Sequence, residues 1–340
     1  MPAETKSVDM EKTELIGSES KTKRGIGWWF NRILYDRILL LVALIFILIV
    51  AMSMIYPGEF PTWANFAAVM LDTAQGGIIT TGMLVLLICG VFDLSAGNIL
   101  ALSGIVAGLL VKGMGAPVLV AILGGILTGT VVGLINGLII TKLRINALIT
   151  TLAMSGILRG VTQIISPAGV ANLPNSFKPF GQVKFLELQS PFWYMIIIAV
   201  IAWFLLSRTR FFRQFYYVGS NVKAATLSGI KVQTVILVGF AIMGTLAGFA
   251  GTVLASRLSN AVIMAGSGIE LRAITAAILG GASLAGGQGK VTGAILGVLF
   301  VSLIQNALII LRVPVFYQGI VVGIVLLVAI GIDQFGHAKK

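Results

Sequence analysis

The chain has 340 residues, of which 57% are apolar and only 11% are charged, and its mean hydropathy is +1.01. Soluble domains carry about 25% charged residues and about 45–50% apolar ones. This composition excludes a soluble enzyme, a secreted disulfide scaffold and a disordered chain, and it predicts a protein whose solvent is the lipid bilayer. The formal net charge of +12 fits the positive-inside asymmetry of membrane proteins better than binding to nucleic acid.

The amino-terminal segment and the two rarest residue types, Cys and His, limit the class of protein further. Residues 1–37 hold seven basic and six acidic side chains, too polar for the apolar core of a signal peptide, so we interpret them as a polar cytoplasmic tail. The single cysteine, Cys89, lies in an apolar run and is expected to be a small buried hydrophobe. With His337 as the only histidine, we expect no metal site and no Cys/His catalytic site.

Apolar stretches long enough to cross a bilayer recur along the chain. Asp72, Gln75 and the pair Gly76–Gly77 interrupt the second stretch, which predicts a broken helix there. The fold predicted is therefore an all-α polytopic membrane protein with about ten transmembrane helices, at 38–56, 64–91, 98–112, 117–141, 146–165, 191–206, 232–255, 270–284, 292–311 and 315–332.

Loop charge orients these spans. The turn 142–145 and the loop 208–231 carry Lys and Arg without any acid. Because basic loops stay on the cytoplasmic side, both termini, including residues 336–340, are expected in the cytoplasm. The polar segment 167–190 is then outside.

Two patterns predict how the helices are arranged. Residues 136–140 and 306–310 share the pattern Asn-x-Leu-Ile-Ile, and each is followed by Arg and a β-branched residue. In a ten-span chain the two copies run in opposite directions, so a 5+5 inverted repeat is possible. Glycines at a near four-residue period, Gly124–Gly125, Gly129, Gly133 and Gly137, predict close packing of helix backbones.

The basic loop 208–231 contains a short helix signal. Asn221 or Ser220 can cap a helix that starts at Val222, and Gly229 can end it in the left-handed conformation. We expect the exposed face of this helix to carry small residues, Ala224, Ala225 and Gly229, suited to docking into a groove on a partner. An inert connector is the alternative.

Four motifs appear in order at 92–104, 142–153, 224–230 and 279–289. Together they resemble the membrane permease of bacterial ABC sugar importers of the ribose, arabinose and xylose type. The resemblance covers 38–335, which we take as the transmembrane permease domain. The Gly-rich run 286–291 is not a nucleotide-binding loop, because Val291 follows the lysine where Ser or Thr is required.

The resemblance implies a permease that works with a periplasmic substrate-binding protein, a cytoplasmic ABC ATPase and a second permease copy or paralogue. ATP and Mg²⁺ would be used by that ATPase; this chain would bind no cofactor and would not be an enzyme. The segment 221–230 becomes the part coupled to the ATPase, through Asn221, Lys223, Ala224, Ala225 and Gly229. The motifs also supply a structural or gating set, Asp93, Ser95, Gly97, Gly280, Gly281, Ser283, Gly286 and Gly287. Lys223 departs from the acid that this family often has before the two alanines.

Polar side chains inside apolar stretches are costly in a bilayer and are usually paired or functional. We interpret Asp93 with Ser95 as a cap for the helix that begins near Ala96, in preference to a solute contact. Glu270 and Arg272 are candidates for an outer gate or for docking of the binding protein, and solvation at the membrane interface explains them equally well. Candidates for the translocation pathway are Asn65, Asp72, Gln75 and Asn98.

The leading hypothesis is thus the permease subunit of an ATP-driven importer working by alternating access at the bacterial inner membrane. An ion-coupled secondary transporter is the alternative, since it would show the same spans and repeats. It needs a buried acid, and only Asp72 and Glu270 are candidates, neither with an evident partner in the sequence. An integral membrane enzyme lacks the necessary His, Cys or paired carboxylates.

Overall fold

A computed structural model describes residues 37–314, 317–321, 323–325, 327–328 and 331. The described residues beyond 316 are helical. A π-helical turn, Leu109–Gly113, directly follows the helix Ala96–Gly108. A two-strand hairpin is formed by β1 (Lys184–Phe185) and β2 (Leu188–Gln189). The α-helices are α1 (Arg37–Ile55), α2 (Trp63–Ile88), α3 (Ala96–Gly108), α4 (Val118–Lys142), α5 (Ala147–Ile165), α6 (Pro179–Gln182), α7 (Ser190–Arg208), α8 (Arg210–Ser220), α9 (Val222–Leu227), α10 (Val232–Leu258), α11 (Ile269–Leu279) and α12 (Val291–Ile310).

Within the described residues, eight helices are long and apolar enough to cross a membrane: α1 to α5, α7, α10 and α12. The prediction of an all-α polytopic membrane protein is confirmed. The eighth predicted span, 270–284, is wrong in length, because α11 has only 11 residues and reaches about 16 Å. The tail and the last predicted span lie wholly or partly outside the described residues.

The second helix, α2, lies at the centre of the bundle, packed against α7, α10, α11 and α12. It runs through Gly76 and Gly77 without interruption, so the predicted break is wrong. The glycines instead make room for neighbours: a Cβ on Gly76 would lie 2.9 Å from the Val298 side chain, and one on Gly77 would overlap the side chain of Met195. Cys89, at the end of α2, is buried as predicted.

The most extensive helix contact joins α4 to α10 in antiparallel fashion. A Cβ on Gly129 would lie 2.7 Å from the Cα of Gly248, and one on Gly133 would lie 3.0 Å from the Cα of Gly244. Only glycine allows backbones to approach this closely. The predicted role of the glycine stripe in close packing is confirmed.

The two ends of the bundle differ in charge. The basic end comprises 142–146, 208–231 and 280–290, and the opposite end comprises 57–62, 114–117, 166–189 and 259–262. Helices α4 and α12 finish at different ends, yet each is followed by an arginine with φ of 57°, Arg144 and Arg312. This shared ending fits the inverted relation proposed for the two sequence copies.

The starts of α3 and α11 meet inside the bundle. Gly97 and Gly266 touch backbone to backbone, so a side chain on either would overlap the other residue. After α2 and after α10 the chain therefore folds back among the helices before the next helix starts. Since Ser95 bonds to Asn136, six residues before the end of α4, α3 starts about 9 Å inside the basic end.

Candidate functional site

The short helix α9 lies at the basic end and has the ends that its sequence predicts. The Asn221 side chain accepts a hydrogen bond from the Ala224 amide at 3.0 Å, and Gly229 follows the helix with φ of 81°. Both caps are confirmed. Ala224 is exposed, as is Lys223.

The prediction for the exposed surface of α9 is wrong at Ala225, and it omitted Leu227. Ala225 is only 4% exposed because it faces inward and packs into the main core. Leu227, in contrast, is 90% exposed. In the sequence, the exposure of Leu227 could have been suspected because it is a single leucine among small and polar residues. Leu227 is therefore available for contact with another surface.

The preceding helix, α8, connects α9 to the bundle. Phe215 and Val218 are buried, and the Tyr216 hydroxyl donates to the Gly289 carbonyl at 3.0 Å. Burial raises the pKa of the Tyr216 phenol, so this group keeps its proton for the hydrogen bond. At Gly219 an added side chain would meet the carbonyl of Ile88, the last residue of α2.

The loop after α11 packs where α8 meets the end of α2, and we call this set of contacts the junction. The Gly287 amide donates to the Ile88 carbonyl at 2.8 Å. Ser283 is buried, and its hydroxyl accepts from the Ala285 amide at 3.2 Å. Gly281, Gly286 and Gly287 all have positive φ values, and Gly280 packs on Gly293 of α12. The loop thus ties α11 to the end of α2 and to α8, although its gating role stays a prediction.

Asp93 lies at the start of α3, fully buried. Its Oδ1 accepts from the amide and the hydroxyl of Ser95, while Ser95 Oγ also accepts from the Asn136 amide at 2.9 Å. The helix begins at Ala96, as predicted, but the Ser95 side chain makes no capping hydrogen bond to it, so that part of the predicted cap is wrong. Asp93 and Asn136 each keep one oxygen without a hydrogen-bond partner in the structure. Asn136, which ties this turn to α4, was not identified as a polar partner from the sequence.

Three of the predicted pathway residues lie on α2, and each contacts a different neighbouring helix. Asn65 exchanges amide hydrogen bonds of 3.2 and 2.6 Å with Asn306 of α12. Gln75 is directed at the Ala250 carbonyl of α10, at 3.4 Å. Asp72 forms an ion pair of 2.8 Å with Arg272 of α11. The expectation that Asp72 lacks a partner is therefore wrong, and the pathway role of these three stays a prediction.

The fourth pathway candidate, Asn98, has different surroundings. It donates to the Ser155 hydroxyl of α5 at 2.6 Å, and both side chains line a cavity of about 360 Å³ with Glu270 of α11. No group of three His, Cys, Asp or Glu residues that could hold a metal ion occurs in the part of the chain that the structure describes.

An apolar helix bundle with an internal polar cavity and a helix held out at its basic end defines a multi-pass membrane permease. A family model described as "Branched-chain amino acid transport system / permease component" matches residues 65–330. The chain belongs to this family and is a permease component of a transport system.

Several individual proteins are similar to this chain over most of its length. The chain is 42% identical to "Ribose import permease protein RbsC" of Bacillus subtilis, over 85% of this chain and 90% of that one. It is 38% identical to the protein of the same name from Escherichia coli K12, over 86% and 92% of the two chains. It is also 38% identical to "L-arabinose ABC transporter permease protein AraH" of Azospirillum brasilense, over 88% of each. No solved structure gave a match.

Proposed function

We propose that this chain is the inner-membrane permease subunit of an ATP-driven importer that moves a sugar or a sugar-like solute by alternating access. A cytoplasmic ABC ATPase, a periplasmic binding protein and a second permease chain complete the transporter. The family description names amino acids, but the relatives that resemble nearly the whole chain are named for ribose and arabinose. Their high coverage supports a sugar.

Charge supports the orientation. The loops of the basic end hold eight cations and no acid: Lys142, Arg144, Arg208, Arg210, Arg213, Lys223, Lys231 and Lys290. The opposite end mixes Glu59 and Glu187 with lysines. Since cytoplasmic loops carry the excess of Lys and Arg, the basic end faces the cytoplasm, where the ATPase is.

The observation that carries the proposal is α9. It is a capped helix of six residues at the basic end, with Ala224 leaving room for close approach and Leu227 exposed for burial on a partner. Its neighbour Gly219 touches α2 and the loop after α11. A push on α9 would therefore reach two helices of the bundle through rigid backbone contacts, as alternating access requires. The Asp72–Arg272 ion pair also gives that acid a partner inside the bundle, whereas an ion-coupled transporter would need it to bind the coupling ion.

Replacing Ala224 with Trp tests the proposal. The bulky ring should block docking, so that the variant inserts into the membrane normally but no longer co-purifies with its ATPase and no longer supports uptake. Ala171→Trp, at an exposed position of the opposite end, is the matched control and should retain the ATPase. Normal uptake by the Ala224 variant would refute the docking assignment. Loss of uptake in a protonophore while ATP stays high would refute ATP-driven transport.

A further inference from the structure

A polar cavity lies where α3, α5 and α11 meet. It has a volume of about 360 Å³, and its polar lining comes from Asn98, Ser155, Arg159, Ser267 and Glu270. Ser155 is the ninth of 19 residues in α5, about 12 Å from one end of that helix and 15 Å from the other. The cavity is therefore near the middle of the membrane, where polar groups are retained for function or are paired.

The two charged groups of the cavity are not paired with each other. Within the described residues the only ion pair is that of Arg272 with Asp72, so Arg159 and Glu270 lie more than 4.0 Å apart. Arg159 is exposed and Glu270 is partly buried. One cation and one anion give the lining no net charge, while an amide and two hydroxyls add donors and acceptors. Such a lining suits a neutral molecule with many hydroxyl groups.

We propose that this cavity is a solute subsite of the translocation pathway, in which Arg159 and Glu270 balance each other and so favour neutral polyhydroxylated solutes over ions. The inference rests on the proposed function and adds the residues that set its charge selectivity. Removing either charge leaves the other uncompensated in a site of low dielectric. Glu270→Gln then favours anions, and Arg159→Gln favours cations.

Cysteine labelling tests this without any knowledge of the solute. Cys89 is the only cysteine, so the full-length chain with Cys89→Ala is a clean background for Ser155→Cys. Water-soluble methanethiosulfonates, one anionic and one cationic, are the probes. Ser302→Cys, at a buried position in α12, should stay unlabelled, and a free cysteine derivative in solution gives the intrinsic rate ratio of the two reagents.

We expect Ser155→Cys to react with both reagents at a ratio near that of the free cysteine derivative. Adding Glu270→Gln should raise the anionic-to-cationic ratio at least about threefold, and Arg159→Gln should lower it by as much, since a unit charge about 6 Å away has this effect even in water. Ser267→Cys repeats the measurement from the other wall in case the first variant folds poorly.

Two results would overturn the subsite. One is labelling at Ser155 and Ser267 no faster than at Ser302; the other is a rate ratio that neither charge removal moves. Labelling requires neither ATPase nor uptake. A permease that transports but fails this test therefore refutes the subsite and leaves the proposed function standing. Normal labelling in a permease without ATP-driven uptake refutes the proposed function and leaves the subsite standing.

Discussion

Replacing Gly219 with Ala should separate α8 and α9 from the rest of the bundle. Gly219 lies three residues before Val222, where α9 begins. Its added Cβ would overlap the Ile88 carbonyl and lie 2.5 Å from the Gly287 amide nitrogen. Both are backbone atoms, which cannot turn aside as a flexible side chain can. The helix α8 must therefore move away from the end of α2 and from the loop after α11.

The magnitude follows from three terms. Overpacking of this kind costs about 1–3 kcal/mol. Disturbing the hydrogen bond of 2.8 Å between Gly287 and Ile88 adds about 1 kcal/mol. The better helix propensity of alanine lowers this cost by about 1 kcal/mol. The net loss is about 1–3 kcal/mol, which shifts the equilibrium between joined and separated arrangements by roughly 5- to 150-fold.

Two measurements check this expectation. The free energy of unfolding in detergent should fall by about 1–3 kcal/mol, and solute uptake per ATP hydrolysed should fall while the ATPase still binds through α9. Gly113→Ala is the control, because its added Cβ would meet nothing within 4 Å, and its stability should stay within about 0.5 kcal/mol. If Gly219→Ala matches this control in both stability and uptake, the junction does not transmit motion.

Further predictions concern α2 and α9. Asp72→Asn leaves Arg272 unpaired. A double-mutant cycle with Arg272→Gln should give a coupling free energy of about 0.2–1 kcal/mol, since both side chains are partly exposed. Zero coupling would mean that the ion pair does not hold α2 to α11. Asn221→Ala removes a helix cap at a cost of about 1 kcal/mol, so the α9 amides should exchange hydrogen roughly fivefold faster. Asn221→Asp should preserve the slow exchange, and equal rates in both variants would contradict the capping role.

Local features could be predicted because they depend on neighbours along the chain. Asn221, Val222 and Gly229 are close in sequence, and a cap needs only a side chain a few residues from the free amide. Apolar runs of about 20 residues likewise identify a span without any knowledge of its neighbours. The glycine stripe of α4 predicted close packing for the same reason, although it did not name α10 as the partner.

Interruptions within the spans were harder to interpret. Gly76 and Gly77 suggest a break when only helix propensity is considered. In the bundle they lie against Val298 and Met195, and the packing of α2 at the centre outweighs their weak propensity. Similarly, Glu270 to Leu284 reads as apolar enough for a span, yet the chain folds back before α11 and leaves room for a helix of only 11 residues.

By itself, the sequence determined the membrane class, most of the spans, the caps of α9 and the family. Only the tertiary structure decided which partner each polar group has: Asn306 for Asn65, Arg272 for Asp72, and Ser155 for Asn98. It also decided that Ala225 is buried while Leu227 is exposed. The reason is physical: a cap or an apolar run is a short-range property, whereas two side chains 200 residues apart meet only when packed helices bring them together.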